Sequence, residues 1–326
     1  MKEKLHVSSF IIMFMIKGID DRMMTSVNKD TRAGFATLIG APNAGKSTLM
    51  NAMVGQKVSI VTPKVQTTRS RIRGIAMQDE AQIIFVDTPG IFSPKRRLDR
   101  AMVNAAWQGA ADNDVLLLLN DCARGSLDDE TKMIIAKLVQ QEQAAALILN
   151  KIDLATPEQV LVRTAELSTL FSFEKVFMIS AHTGNGLSDL KSWLAQKMPL
   201  GPYLFDPNDL SDLPVRLLAA EILREKLFLN LHQELPYQMT VESESWAERE
   251  DGSAEVRLSV FVAREGHRGI VLGKRGQTIK RISQAARKEL EKVLERRIHL
   301  MCHVKYRKDW MDDKERYTAW NLDFNA

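Results

Sequence analysis

Cysteine is nearly missing from this chain: Cys122 and Cys302 are the two among 326 residues. Neither lies in a C-x-x-C or Cys/His ligand spacing, so a disulfide scaffold and a structural zinc site are excluded, and a reducing compartment is the natural setting. Long apolar runs are missing too. The nearest approach, residues 10–16 (FIIMFMI) behind Lys2 and Lys4, falls far short of the roughly 20 residues a spanning helix needs, and no small-residue cleavage site follows it. The expectation for residues 1–32 is a disordered extension, with Met23 and Met24 as alternative starts ahead of the first strand. No internal repeat and no Pro/Ser/Gly-rich tract is present.

What remains is ordinary globular composition, 45% apolar and 26% charged, in a chain long enough for two domains. The formal charge of +4 is unevenly spread. Residues 261–310 hold 14 Lys/Arg against 5 Asp/Glu, a local +9, so the remainder carries −5. A polyanion would meet the C-terminal part first.

From residue 34 to about 199, short apolar runs alternate with amphipathic stretches. Residues 34–39 (GFATLI), 81–86 (AQIIFV), 114–119 (DVLLLL), 144–149 (AAALIL) and 175–179 (KVFMI) read as buried strands. This is the βαβ rhythm of a mostly parallel sheet with helices on both faces. Four prolines within residues 199–214 mark a linker. Beyond it, helix over 215–231, strands over 238–245 and 254–263, helix over 279–295 and a last strand over 298–306 predict a smaller α+β domain. The expected division is 1–32 extension, 33–199 nucleotide domain, 200–213 linker, 214–310 second domain and 311–326 tail.

Residues 40–47 read GAPNAGKS, which satisfies GxxxxGK[ST] between a strand and a predicted helix over 48–53. The loop of Gly40, Ala41, Pro42, Asn43, Ala44 and Gly45 can wrap phosphate with its amides, and the helix start at Thr48 points at the anion. Lys46 can reach the β- and γ-phosphates, and the Ser47 hydroxyl can ligate Mg²⁺. Asp87, Thr88, Pro89 and Gly90 (DTPG) follow a strand directly, placing a carboxylate for Mg²⁺ and a glycine amide beside the γ-phosphate. Asn150, Lys151 and Asp153 (NKID) end another strand, where the Asp153 carboxylate can accept both guanine N1 and N2 protons and Lys151 can lie along the base. Ser180 and Ala181 close the last strand, where amides can meet guanine O6. After DTPG stands Ile91, which can neither donate nor accept a hydrogen bond, so water must be positioned by another group.

In the basic segment, Gly273, Lys274, Arg275 and Gly276 form a GxxG loop opening a helix. Ile279, Ile282, Ala286, Leu290 and Val293 recur at helical spacing, leaving Lys280 and Arg281 among the charges turned to solvent. Glycines let an RNA backbone approach, Lys274 and Arg275 meet phosphates, and a neighbouring groove receives splayed bases. The element order around this loop is similar to a type II KH domain.

Together, GxPNxGKS, DTPG, NKxD and SA resemble the translation-factor-related GTPases, and the KH-like domain narrows the resemblance to the Era family over residues 33–310. The resemblance implies a slow, Mg²⁺-dependent GTPase that cycles between GTP and GDP. It also implies binding to the 3′ region of 16S ribosomal RNA and a role in assembly of the 30S subunit, in the cytoplasm; no stable oligomer is expected, and the apolar run at 10–16 or the basic face offers a candidate peripheral contact with the inner membrane. The resemblance places Thr67, Thr68 and Arg69 in the first switch, one of the two threonines closing the Mg²⁺ shell. Thr68 joins Ser47 and Asp87 as the metal set, while Lys46, Thr67, Thr68 and Gly90 form the catalytic set; the motifs alone do not choose between the threonines. Asn43 resembles a loop asparagine that ligates K⁺ in related GTPases, which makes K⁺ a candidate second cation.

Overall fold

The computed structural model describes residues 30–326; the apolar run at 10–16 and the methionines at 23 and 24 lie outside them. The first sheet has six strands: β1 (Arg32–Gly40), β2 (Ile72–Gln78), β3 (Ala81–Asp87), β4 (Val115–Asp121), β5 (Ala146–Asn150) and β6 (Val176–Met178), in spatial order β2-β3-β1-β4-β5-β6. All neighbours run parallel except β2 against β3. Every residue of β3, β4 and β5 is buried, as expected where helices cover both faces and the strands are continuous apolar runs. The five predicted strands are present, and β2 is an addition.

Around this sheet pack α1 (Lys46–Val54), α2 (Arg97–Ala111), α3 (Asp129–Gln140), α4 (Pro157–Leu170) and α5 (Leu187–Lys197). Local chemistry sets their starts. Asp128 accepts the Thr131 N–H ahead of α3, and Thr156 accepts the Gln159 N–H while Gln159 returns the bond, with Pro157 opening α4. The parallel register brings Leu38 beside Asp87, Gly40 beside Leu119 and Asp121 beside Asn150. The predicted motifs therefore line one edge, outside the carboxyl ends of the strands, where open α/β sheets bind ligands.

The second sheet holds β7 (Met239–Glu248), β8 (Ala254–Val262) and β9 (Ile298–Tyr306), with β7/β8 antiparallel and β8/β9 parallel. Over it lie α6 (Val215–Asn230), α7 (Glu265–Leu272) and α8 (Gln277–Leu294). Leu223 and Leu227 of α6 and Ile282, Ala286 and Leu290 of α8 share a core with Val256, Leu258 and Val260 of β8.

Residues 200–213 do not hang free between the sheets. The wholly buried Gln82 accepts the N–H groups of Leu204 (2.8 Å) and Phe205 (3.0 Å) and donates to the Phe205 carbonyl (2.8 Å). Ile75 N–H donates to Leu210 O at 2.9 Å, and Gly74 bridges Ser211. This stretch covers the edge that β2 would otherwise expose. Residues 310–326 are also packed rather than trailing. Trp310 and Tyr317 are fully buried, and α9 (Lys314–Ala319) sets Tyr317 and Leu322 against Leu98, Ala101, Met102 and Ala105 of α2.

Candidate nucleotide site and RNA-facing loop

The loop of residues 40–47 turns because its backbone can enter conformations side chains resist. Gly45 has φ 98°, and a Cβ there would collide with the Asn150 amide. Asn150 occupies that space with purpose: it donates to Ala44 O at 2.9 Å and accepts the Ala181 N–H at 3.0 Å. The first residue of NKID thus ties the phosphate loop to the Ser180-Ala181 turn. Lys46 is buried, and its Nζ donates to Gly40 O and Ala41 O at 3.0 Å each. Burial pushes its ammonium down to about 8 although Asp87 lies near.

Ser47, Thr68 and Asp87 converge. Ser47 Oγ donates to Asp87 Oδ2 (2.6 Å) and lies 3.0 Å from Thr68 Oγ1, which is 3.3 Å from the same carboxylate oxygen. Ser59, which the motifs did not single out, also donates to Asp87 Oδ2 at 2.9 Å. Burial raises the Asp87 pKa despite these hydroxyl donors and the Lys46 charge. Its Oδ1 is buried with no hydrogen-bond partner. A carboxylate with one oxygen bare and the other held by the Ser47, Thr68 and Ser59 hydroxyls, in a place where burial penalises its charge, is the oxygen-rich donor set that suits Mg²⁺. Thr67 Oγ1 turns instead into its own loop, to Thr62 Oγ1 (2.6 Å) and Lys64 O (2.7 Å).

Of the remaining DTPG residues, Thr88 is buried with its hydroxyl on Leu38 O at 2.7 Å, and Pro89 is buried. A Cβ at Gly90 would stand 3.0 Å from Pro42 Cα. Ile91 is wholly buried in the core that includes Ile39, Ala106 and Leu118. Asn43 (φ 63°) donates to Pro63 O at 2.9 Å. A cavity of about 270 Å³ is lined by the phosphate loop, Lys46, Ser47, Thr48, residues 60–64, Gln66, Thr67, Thr68, Gly90 and Lys151. Lys151 (φ 68°) pairs with Asp121 at 2.7 Å, while Asp153 is exposed just beyond it. Among the described residues no helix is long and apolar enough to cross a membrane.

The second domain places Lys274 and Arg275 on the surface between α7 and α8, in a turn where Gly273, Arg275 and Gly276 all have positive φ (71°, 52° and 74°). A Cβ at Gly276 would meet nothing within 4 Å, so the glycine is open on the outside. Lys280 and Arg281 are exposed beside it, and Ile270, just before the turn, is 58% exposed although apolar.

Residues 35–151 match the 50S ribosome-binding GTPase family, and residues 234–311 match the KH domain family. The chain is 53% identical over 304 residues to GTPase Era of Dinoroseobacter shibae, covering 92% of this chain and 98% of that protein. It is 52% identical over 310 residues to GTPase Era of Mesorhizobium japonicum, covering 95% and 99%. Two solved structures superpose with a TM-score of 0.83 at 34% identity. One is an Aquifex aeolicus Era variant bound to GDP and aluminium tetrafluoride, covering 89% of this chain and 99% of that one. The other is Era in complex with MgGDPNP and nucleotides 1506–1542 of 16S ribosomal RNA, covering 89% and 98%. The two-sheet architecture, the phosphate loop facing Asp87 and these likenesses agree: the chain belongs to the Era family of GTPases, a P-loop domain carrying a KH domain.

Proposed function

We propose that this chain hydrolyses GTP in the cavity between the phosphate loop and residues 60–68, and that its KH domain binds the 3′ region of 16S ribosomal RNA during assembly of the 30S subunit in the cytoplasm. The observation that carries the nucleotide half is the convergence of Ser47, Thr68 and the unpartnered Asp87 oxygen beside Lys46. Ser47 and Thr68 would ligate Mg²⁺ directly, with Asp87 fixing the shell. When bound, Mg²⁺ offsets phosphate charge as it shifts toward the leaving group. Lys46 exchanges its two loop carbonyls for phosphate oxygens. Thr48 and the loop amides, from Gly40 and Ala41 through Ala44, face the same anion.

Asp153 reads guanine through its carboxylate, Lys151 covers the base, and Ser180 and Ala181 supply the O6 side. Asn150 acts through the loops that it joins. Ile91 faces the core, so the attacking water is held by backbone at Gly90, by Thr68 or by a second cation. K⁺ is the candidate for that cation: Asn43 spends its NH₂ on Pro63 and keeps an amide oxygen as a ligand. In the KH domain, the turn at Gly273, Lys274, Arg275 and Gly276 meets the RNA backbone, with Lys280 and Arg281 alongside.

The test pairs two measurements on one variant. Ser47→Ala is expected to stop GTP turnover while crosslinking and sequencing still recover the 16S 3′ region from the folded protein. Wild-type turnover would remove Ser47 from the metal site, and recovery of unrelated RNA from wild type would overturn the RNA assignment.

A further inference from the structure

The segment that carries Thr67 and Thr68 is held from outside its own domain. Lys57 pairs with Glu225 (2.6 Å) and with Glu289, and the Val61 N–H donates to Glu225 at 2.8 Å. Lys64 reaches the carbonyls of Phe228 and Leu231. All these partners lie on α6, at its end, or on α8.

The contacts nearest Thr68 come from two arginines. Arg224 of α6, 1% exposed, donates through Nη2 to Thr67 O at 2.5 Å. Arg69, 4% exposed, donates to Met239 O at 3.0 Å, with its guanidinium 5.5 Å from the Trp310 ring and 5.9 Å from Phe228. Arg224 stacks on the same Phe228 at 5.3 Å. Thr68 is therefore pinned on both sides, its preceding carbonyl by Arg224 and its following side chain by the second domain, while its own hydroxyl points at Ser47 and Asp87.

We propose that Arg224 is a positioning residue for GTP hydrolysis: by holding the Thr67 carbonyl, together with Arg69, it fixes the Thr68 hydroxyl in the Mg²⁺ shell, so that the second domain completes the active site of the first. The proposal rests on the assignment of Thr68 as a magnesium ligand. Holding a carbonyl orients the peptide plane that leads into Thr68, and the fork of an arginine does this with direction as well as charge. Packing alone does not explain Arg224. The guanidinium is almost wholly buried, and its Nη2 is directed at the Thr67 carbonyl of the other domain rather than at solvent. Its ion pair with Glu221 stays within α6 and would form without Thr67.

The experiment uses the full chain and reads nucleotide binding without hydrolysis. A fluorescent non-hydrolysable GTP analogue is titrated with Mg²⁺, and GDP is titrated in parallel. Loss of one charge-assisted bond should raise the Mg²⁺ concentration for half-maximal analogue binding by about ten- to a hundredfold in Arg224→Ala. GDP binding should be unchanged, because first-switch ordering depends on the γ-phosphate. Arg224→Lys should recover part of the shift, and if Arg224→Ala does not melt as a folded protein, the lysine variant carries the comparison. Glu289→Gln weakens the same interface without touching either threonine and should leave the midpoint in place. A folded Arg224 variant with the wild-type midpoint overturns the proposal, as does an equal shift from Glu289→Gln. Thr68→Ala separates the two levels: if it leaves the midpoint unmoved, the ligand assignment fails and not the contact from Arg224.

Discussion

Asn150 and Asp153 stand three residues apart in one motif and have unlike surroundings. Asn150 is buried and satisfied by Ala44 and Ala181, whereas Asp153 is exposed. The sequence pattern marked both as nucleotide residues and could not separate them, because the partner of Asn150 lies 106 positions away in the chain. Asp153→Asn replaces an acceptor with an amide that can face guanine with a donor. GTP affinity is expected to fall by about a hundredfold, with preference moving toward the xanthine nucleotide. A competition assay checks this, and unchanged GTP selectivity would take Asp153 out of base reading. Ser59 and Arg224 were illegible for a related reason. A serine and an arginine look like solvent-facing residues until tertiary packing buries them beside Asp87 and Thr67.

At the scale of elements, strands that are apolar from end to end announced themselves, and β9 falls where periodicity placed it. β2 did not. Its sequence IRGIAMQ breaks alternation at Arg73 and Gly74, and it is the antiparallel edge whose far side is covered by residues 200–213. The turn between α7 and α8 was legible as GxxG, and its three positive φ values explain why glycine frames it. Gly276→Asp adds a carboxylate on the open side of that turn, at a conformation glycine tolerates best. RNA affinity should fall by about tenfold or more through lost approach and phosphate repulsion, with GTP turnover nearly unchanged. Titration at two salt concentrations, beside a thermal melt, distinguishes this from a general charge effect: a folded variant with wild-type affinity would show that RNA is bound elsewhere.

For the whole molecule, the contact of α9 with α2 joins residues more than two hundred positions apart, a pairing that no local pattern encodes. Tyr317 carries it, with its hydroxyl donating to Met311 O at 2.8 Å. Tyr317→Ala should cost about 3 kcal/mol by leaving a cavity against α2, and Tyr317→Phe about 1 kcal/mol. Urea melts check the pair, and equal small losses would deny the packing. Burial, with Asp312 near, pushes the phenol from 10.0 up to about 12. The folded form holds the proton longer than the unfolded one, so stability is intact below pH 10 and declines as pH rises toward 12. That decline should shrink in Tyr317→Phe. The proline-rich stretch has a mechanical meaning as well. Because Gln82 and β2 hold it along the first sheet, little of it is left to act as a slack tether, and the second domain is presented to residues 56–69 at a high effective concentration. Contacts such as Lys57 with Glu225 then form within one molecule, and the second domain serves as a built-in buttress for residues 56–69 rather than as a bead on a string.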